Sequence, residues 1–142
     1  MKKLLGLFLV FSLLLMGCSS NEVTTVKLED ASEEQLLKVA QQTHKKIIEM
    51  LKETDEKKFH ERKDAIFEEG AEAFEFDPVI KYESSYENES ITKFNEAFIY
   101  KFRLKESFEN ISGASGENEL DLEFEFVQKD DGSYKISYMK IK

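Results

Sequence analysis

The chain of 142 residues contains one cysteine, one proline, six glycines, two histidines and no tryptophan. With Cys18 as the sole cysteine, an intramolecular disulfide and any site built from several thiolates are excluded, so stability has to come from packing. The few glycines form no Gly-rich loop of the kind that cradles phosphate, and no strand-turn-helix elbow presents a nucleophilic serine. The histidines, His44 and His60, stand sixteen positions apart, and His60-Glu61 is not followed by a second His at zinc-protease spacing. The longest apolar run, residues 4–16, is interrupted only by Gly6 and Ser12. It is too short to cross a bilayer core of ~30 Å, which needs about 20 helical residues. Cationic side chains are also in the minority, with 20 Lys and Arg against 29 Asp and Glu. Clustered cations are needed to neutralise phosphates, so nucleic acid is not an expected partner.

At the N-terminus, Lys2 and Lys3 precede the apolar run and Gly17 follows it. Together these form the charged region, the hydrophobic region and the small residue of an export signal. The next residue is the only cysteine, and Leu15-Met16-Gly17-Cys18 resembles the lipobox of bacterial lipoproteins. Leu15 supplies the aliphatic residue, Gly17 the small one before the cut and Cys18 the lipid acceptor, while Met16 stands where Ala, Ser or Thr is usual. The resemblance implies removal of residues 1–17 as a signal peptide and a diacylglyceryl thioether on Cys18 carrying acyl chains such as palmitate. It also implies anchoring at the outer face of the cell membrane. Two acyl chains hold stably where one is marginal, since each buried CH₂ contributes ~0.8 kcal/mol. A Lys, Glu, Ile, Asn and Phe bias fits an AT-rich genome and points to a Gram-positive cell. Losing Lys2 and Lys3 leaves 18 basic residues against 29 acidic ones, a net charge of −11. That charge is repelled by anionic headgroups, so the lipid on Cys18 has to hold the membrane.

Residues 18–31 show no periodicity and read as the lipidated cysteine and a tether. Residues 32–142 read as a single globular domain, long enough to bury a core. Ser32-Glu33-Glu34-Gln35 fits a capping box, after which Leu36, Val39, Ala40, Thr43, Ile47, Met50 and Leu51 line one face of a helix. Thr54-Asp55 starts a second helix, with a looser stripe of Phe59, Arg62, Ile66, Gly70, Ala73 and Phe74 reaching Phe76. Gly70 either ends that helix or permits close packing on a sheet. Pro78 marks the change to extended chain.

Beyond Pro78 the period becomes two. Ile80, Tyr82 and Tyr86 alternate with charges, followed by Phe98, Tyr100, Phe102 and Leu104, then Leu120, Leu122, Phe124 and Phe126, and last Tyr134, Ile136 and Tyr138. The alternation changes phase near Met139-Lys140-Ile141, which predicts a bulge or a frayed end. Loops are expected at 87–90 and 110–118. Lys101, Arg103 and Lys105 on one strand face Asp121, Glu123 and Glu125 on another, and opposite charges favour these two strands as antiparallel neighbours. The expected class is α+β, with two N-terminal helices packed on a curved antiparallel sheet of three to four strands.

This element order resembles the NTF2-like superfamily, and less closely the cystatin-like folds. Lys129-Asp130-Asp131-Gly132-Ser133-Tyr134-Lys135-Ile136 is similar to the last turn and strand of small NTF2-like lipoproteins, with Tyr134 in the usual Trp position. The chain is short for the full cone, and such folds host enzymes and inert modules alike.

The candidate chemistry is sparse. His60 and Asp64 are spaced to pair along a helix, and His44 reads as a surface or helix-packing residue. Glu68, Glu69, Glu72, Glu75 and Asp77 read as a solvated helix face, because a calcium loop needs oxygen ligands alternating around a glycine turn. No catalytic residue, cofactor site or metal site is assigned. On the inward faces the polar groups are the hydroxyls of Tyr82, Tyr86, Tyr100, Tyr134 and Tyr138, read as core residues with their OH at the rim. Asn88 and Asn110 begin glycosylation sequons, which mean little in a bacterium. The expected function is a membrane-tethered, non-catalytic binding module for a protein partner or a small apolar ligand. The alternative is a small-cavity NTF2-like enzyme. A minor one is release of Val10 to Gly17, similar to peptide pheromones cut from lipoprotein signal peptides.

Overall fold

The computed structural model describes residues 26–71 and 74–142. Cys18 and the whole signal-like segment, together with Glu72 and Ala73, lie outside the described residues. The architecture is α+β: two helices are followed by a four-stranded antiparallel sheet in the order β1-β2-β3-β4, and the helices pack on one face of this curved, unclosed sheet.

Helix α1 (Glu33–Lys52) starts where the sequence places it. The Ser32 hydroxyl accepts from the Gln35 amide at 3.2 Å, and the Gln35 side chain accepts from the Ser32 amide at 2.9 Å, closing the capping box. Leu36, Val39, Ala40, Thr43, His44, Ile47 and Met50 form its buried stripe. Helix α2 (Glu56–Ile66) is capped by Asp55 and buries Phe59 and Ile66.

Helix α2 stops ten residues before the expected Phe76. Phe67 is extended and forms a parallel bridge with Ile136, and the Glu68 amide donates to the Ile136 carbonyl at 2.9 Å. Pairing with the sheet therefore replaces the next helical turn. Gly70 sits beyond that point with φ +78° and open space where a Cβ would lie, so it serves a turn and not a close packing contact. The apolar residues Phe74 and Phe76 still pack, against Phe67 and Phe59, from irregular chain.

The strands are β1 (Val79–Lys93), β2 (Ala97–Asn110), β3 (Ser115–Gln128) and β4 (Tyr134–Ile141). Neither expected loop has its predicted extent. Residues 87–90 continue β1 through a bulge, and the β2–β3 connection shrinks to residues 111–114. The cross-strand charges do fall together: Lys101 opposes Glu123 at 3.3 Å, and Arg103 grips Asp121 with two bonds at 2.8 and 3.2 Å. Lys105 opposes Glu119 and bridges Glu87 at 3.0 Å, while Glu125 lies opposite Ile99 and accepts from Ser137 at 2.8 Å. On the other face Phe98 stacks on Phe126 across the same strand pair, with ring centroids 4.7 Å apart and both side chains fully buried.

The phase change in β4 is a bulge. Ile136 pairs with Phe126 but Tyr138 pairs with Glu125, so Ser137 is the extra residue. Everything after it swaps faces: Met139 and Ile141 come opposite Phe124 and Leu122, and Tyr138 turns outward, 55 % exposed. The inward reading of Tyr138 is corrected accordingly. Residues 26–31, read from sequence as the end of the tether, lie on the domain with Leu28 and Ala31 buried.

Candidate functional site

The inward face carries more polar chemistry than the tyrosines alone. In β1, Glu87 pairs with Arg103 and Ser90 with Lys101, so Asn88 and Glu89 together oppose Phe102. Asn88 has φ +57°, the left-handed conformation that Asn tolerates better than most residues. The bulge turns Glu89 inward, where its carboxylate accepts from the Tyr100 hydroxyl at 2.5 Å and from Gln41 at 3.2 Å. From the other side, His44 Nε2 lies 3.1 Å from the same hydroxyl. Tyr100 has a single hydroxyl proton and gives it to Glu89, so His44 donates through Nε2–H and is held as that tautomer.

The inner part of this relay is enclosed, and Glu89 stands half-buried at its edge. His44 is 5 % exposed and Tyr100 fully buried. The His44 ring stacks on Tyr86 at 3.8 Å and meets the Phe102 ring edgewise at 4.7 Å. Burial lowers His44 from 6.5 to about 4, so it is neutral at physiological pH. Burial, reinforced by the bond to Glu89, pushes the Tyr100 hydroxyl far above its ordinary value. The arrangement is suited to fixing the rotation and register of α1 on the sheet, because the buried His44–Tyr100 bond tolerates few alternatives. It leaves little room for a substrate at the imidazole.

A second polar group lies farther along the same face, past the end of α1. Tyr82 donates to Glu106 at 2.6 Å, and Asn118 donates to the other Glu106 oxygen at 2.9 Å. Burial and Glu106 together raise the Tyr82 hydroxyl far above its ordinary value. Open clefts flank it, one of about 500 Å³ between Lys52, Ile80, Tyr82 and Phe108.

The other sequence candidates do not converge. His60 is exposed and faces Glu56 at 3.9 Å, in place of the expected Asp64. Of the acidic run, Glu68 pairs with Lys129, and Asp77 is held by Ser112 at 2.7 Å and Asn110 at 2.9 Å. These bonds lower the Asp77 carboxyl below its usual value. Among the described residues no three His, Cys, Asp or Glu side chains are grouped to hold a metal. Likewise, among the described residues no helix is long and apolar enough to cross a membrane.

Of the surface and helix-packing readings of His44 the structure shows packing, while the sequence assigns no relay role to His44 or Glu89. His44 was detectable, since Ala40, His44 and Ile47 have the spacing of one helix face. Glu89 was not, because a one-residue bulge reverses which side chains face inward. Compared with known protein families, curated proteins and solved structures, the chain matches none.

Proposed function

We propose that the chain is an extracytoplasmic lipoprotein, anchored through Cys18 to the outer face of a Gram-positive cell membrane, whose acidic domain is a non-catalytic binding or interaction module. The observation that carries the anchor is the sequence Leu15-Met16-Gly17-Cys18 behind a short apolar run. The non-catalytic reading draws support from the helix–sheet interface, where aromatic rings surround the buried His44. The element order supports an NTF2-like or cystatin-like reading of the domain. Membrane fractionation tests the anchor: wild type is expected with the membranes and Cys18→Ala in the soluble fraction. Cross-linking on intact cells followed by pull-down tests the module, and recovery of nothing above background would contradict it.

A second reading, a small-cavity enzyme or small-ligand binder, has the Glu89–Tyr100–His44 relay in its favour, since it is a buried ionisable group on the concave face. Soaking with small apolar ligands and finding His44 resonances unmoved in NMR would exclude that use of the site. The pheromone reading concerns Val10 to Gly17, outside the described residues; the synthetic octapeptide should then elicit clumping of responder cells.

A further inference from the structure

We infer that the domain stands end-on at the bilayer, with the sheet end bearing the β1–β2 and β3–β4 turns toward the lipid and the β2–β3 turn away from it. This inference rests on the lipid anchor proposed above and adds the surface that meets the membrane.

The first observation is how residues 26–31 are held. Three side chains grip their backbone. Gln128 donates to the Val26 carbonyl and accepts from the Leu28 amide, both at 2.9 Å. Tyr134 donates to the same Val26 carbonyl at 2.6 Å, and Lys93 donates to the carbonyls of Glu29 and Ala31 at 2.8 and 3.0 Å. Leu28 and Ala31 are buried beneath these bonds. Lys93 ends β1, Gln128 ends β3 and Tyr134 begins β4, so all three grips are at one end of the sheet. The strap therefore fixes where the chain departs toward Cys18.

Lengths then decide the geometry. Seven residues separate Cys18 from Val26. Fully extended, that connection spans at most ~27 Å, and a flexible chain of the same length averages ~16 Å. Strand β2 runs fourteen residues from this end to the other, a distance of roughly 45 Å at the rise of an extended strand. The gripped end is thus confined near the bilayer, while the far turn is beyond the tether's reach unless the domain lies flat.

Charge opposes lying flat. After loss of residues 1–17 the chain carries −11, and an anionic leaflet repels such a body over about a Debye length. Glu29, Glu96, Glu125, Asp130 and Asp131 outnumber Lys27, Lys93 and Lys129 around the gripped end, so proximity to the headgroups is expected there, without insertion. Phe94, 51 % exposed, marks this end and Ile111, 63 % exposed, marks the other.

The chain has no tryptophan, so Phe94→Trp and Ile111→Trp each create a single fluorescent donor. The full chain, expressed in a bacterium and extracted with its lipid, is added to preformed phosphatidylglycerol vesicles containing a dansyl-headgroup lipid. Energy transfer from position 94 is expected to exceed that from position 111 several-fold. Adding Gln128→Ala and Tyr134→Phe to Phe94→Trp frees the strap, and transfer from position 94 should fall. Equal transfer from the two positions in anchored protein, or more from position 111, would overturn the orientation alone. Cys18→Ala protein that stays with the membrane would overturn the anchor and this inference together.

Discussion

At the scale of single residues, the relay of His44, Tyr100 and Glu89 makes the most specific energetic demands. In the folded chain His44 is lowered from 6.5 to about 4, because burial penalises the imidazolium. The unfolded chain therefore takes up a proton near pH 6.5 that the folded chain refuses until about pH 4. Stability is fully present above the unfolded value and declines across that window as pH falls. The expected loss at the bottom of the window is roughly 3 kcal/mol. Urea denaturation of wild type and His44→Phe between pH 7 and pH 4 checks it: the variant should lack this share of the pH dependence. Tyr100→Phe removes the acceptor for His44 Nε2–H and leaves a buried donor unpaired, at a cost of about 1–3 kcal/mol. An unchanged denaturation midpoint for Tyr100→Phe would contradict the hydrogen bonding described.

At the scale of elements, the bulge in β1 is the device that delivers Glu89 to the relay. Asn88 at φ +57° is the residue on which it turns. Asn88→Gly should be nearly neutral, whereas Asn88→Val should cost about 1–3 kcal/mol through backbone strain, measurable as a shift in thermal midpoint. Removing the cap of α1 by Ser32→Ala should cost ~1 kcal/mol, measured in the same way. These elements also show what the sequence makes legible. The capping box, the period of two in β2 and β3, and the facing charges of Lys101, Arg103, Asp121 and Glu123 are local or nearest-neighbour signals, and each appears in the structure. The phase change near Met139 likewise signals the bulge in β4, whereas the end of α2 and the bulge in β1 are decided by tertiary pairing. Phe67 leaves its helix because Ile136 offers a bridge, and Ser137 reverses the faces of everything behind it. Glu89 is illegible for the same reason: His44 has the spacing of a buried helix face and Tyr100 lies on an inward strand face, but Glu89 reaches that face only through a bulge.

At the scale of the whole molecule, an acidic domain follows a short sequence that resembles a lipobox, and residues 26–31 between the two are gripped by the sheet. Among the described residues no helix is long and apolar enough to cross a membrane, and the overall negative charge opposes contact with anionic headgroups. In the lipoprotein proposed above, attachment depends on one residue, Cys18, and the strap gives that single point a direction. The exposed apolar side chains Ile80 and Ile111 lie at the opposite end of the sheet, by the β2–β3 turn. The decisive measurement is the intact mass and N-terminus of the protein extracted from cell membranes. The expected result is a chain beginning at Cys18 that carries the added mass of a diacylglyceryl group. Recovery of unlipidated protein that retains residues 1–17, or that begins at another residue, would contradict the anchored lipoprotein.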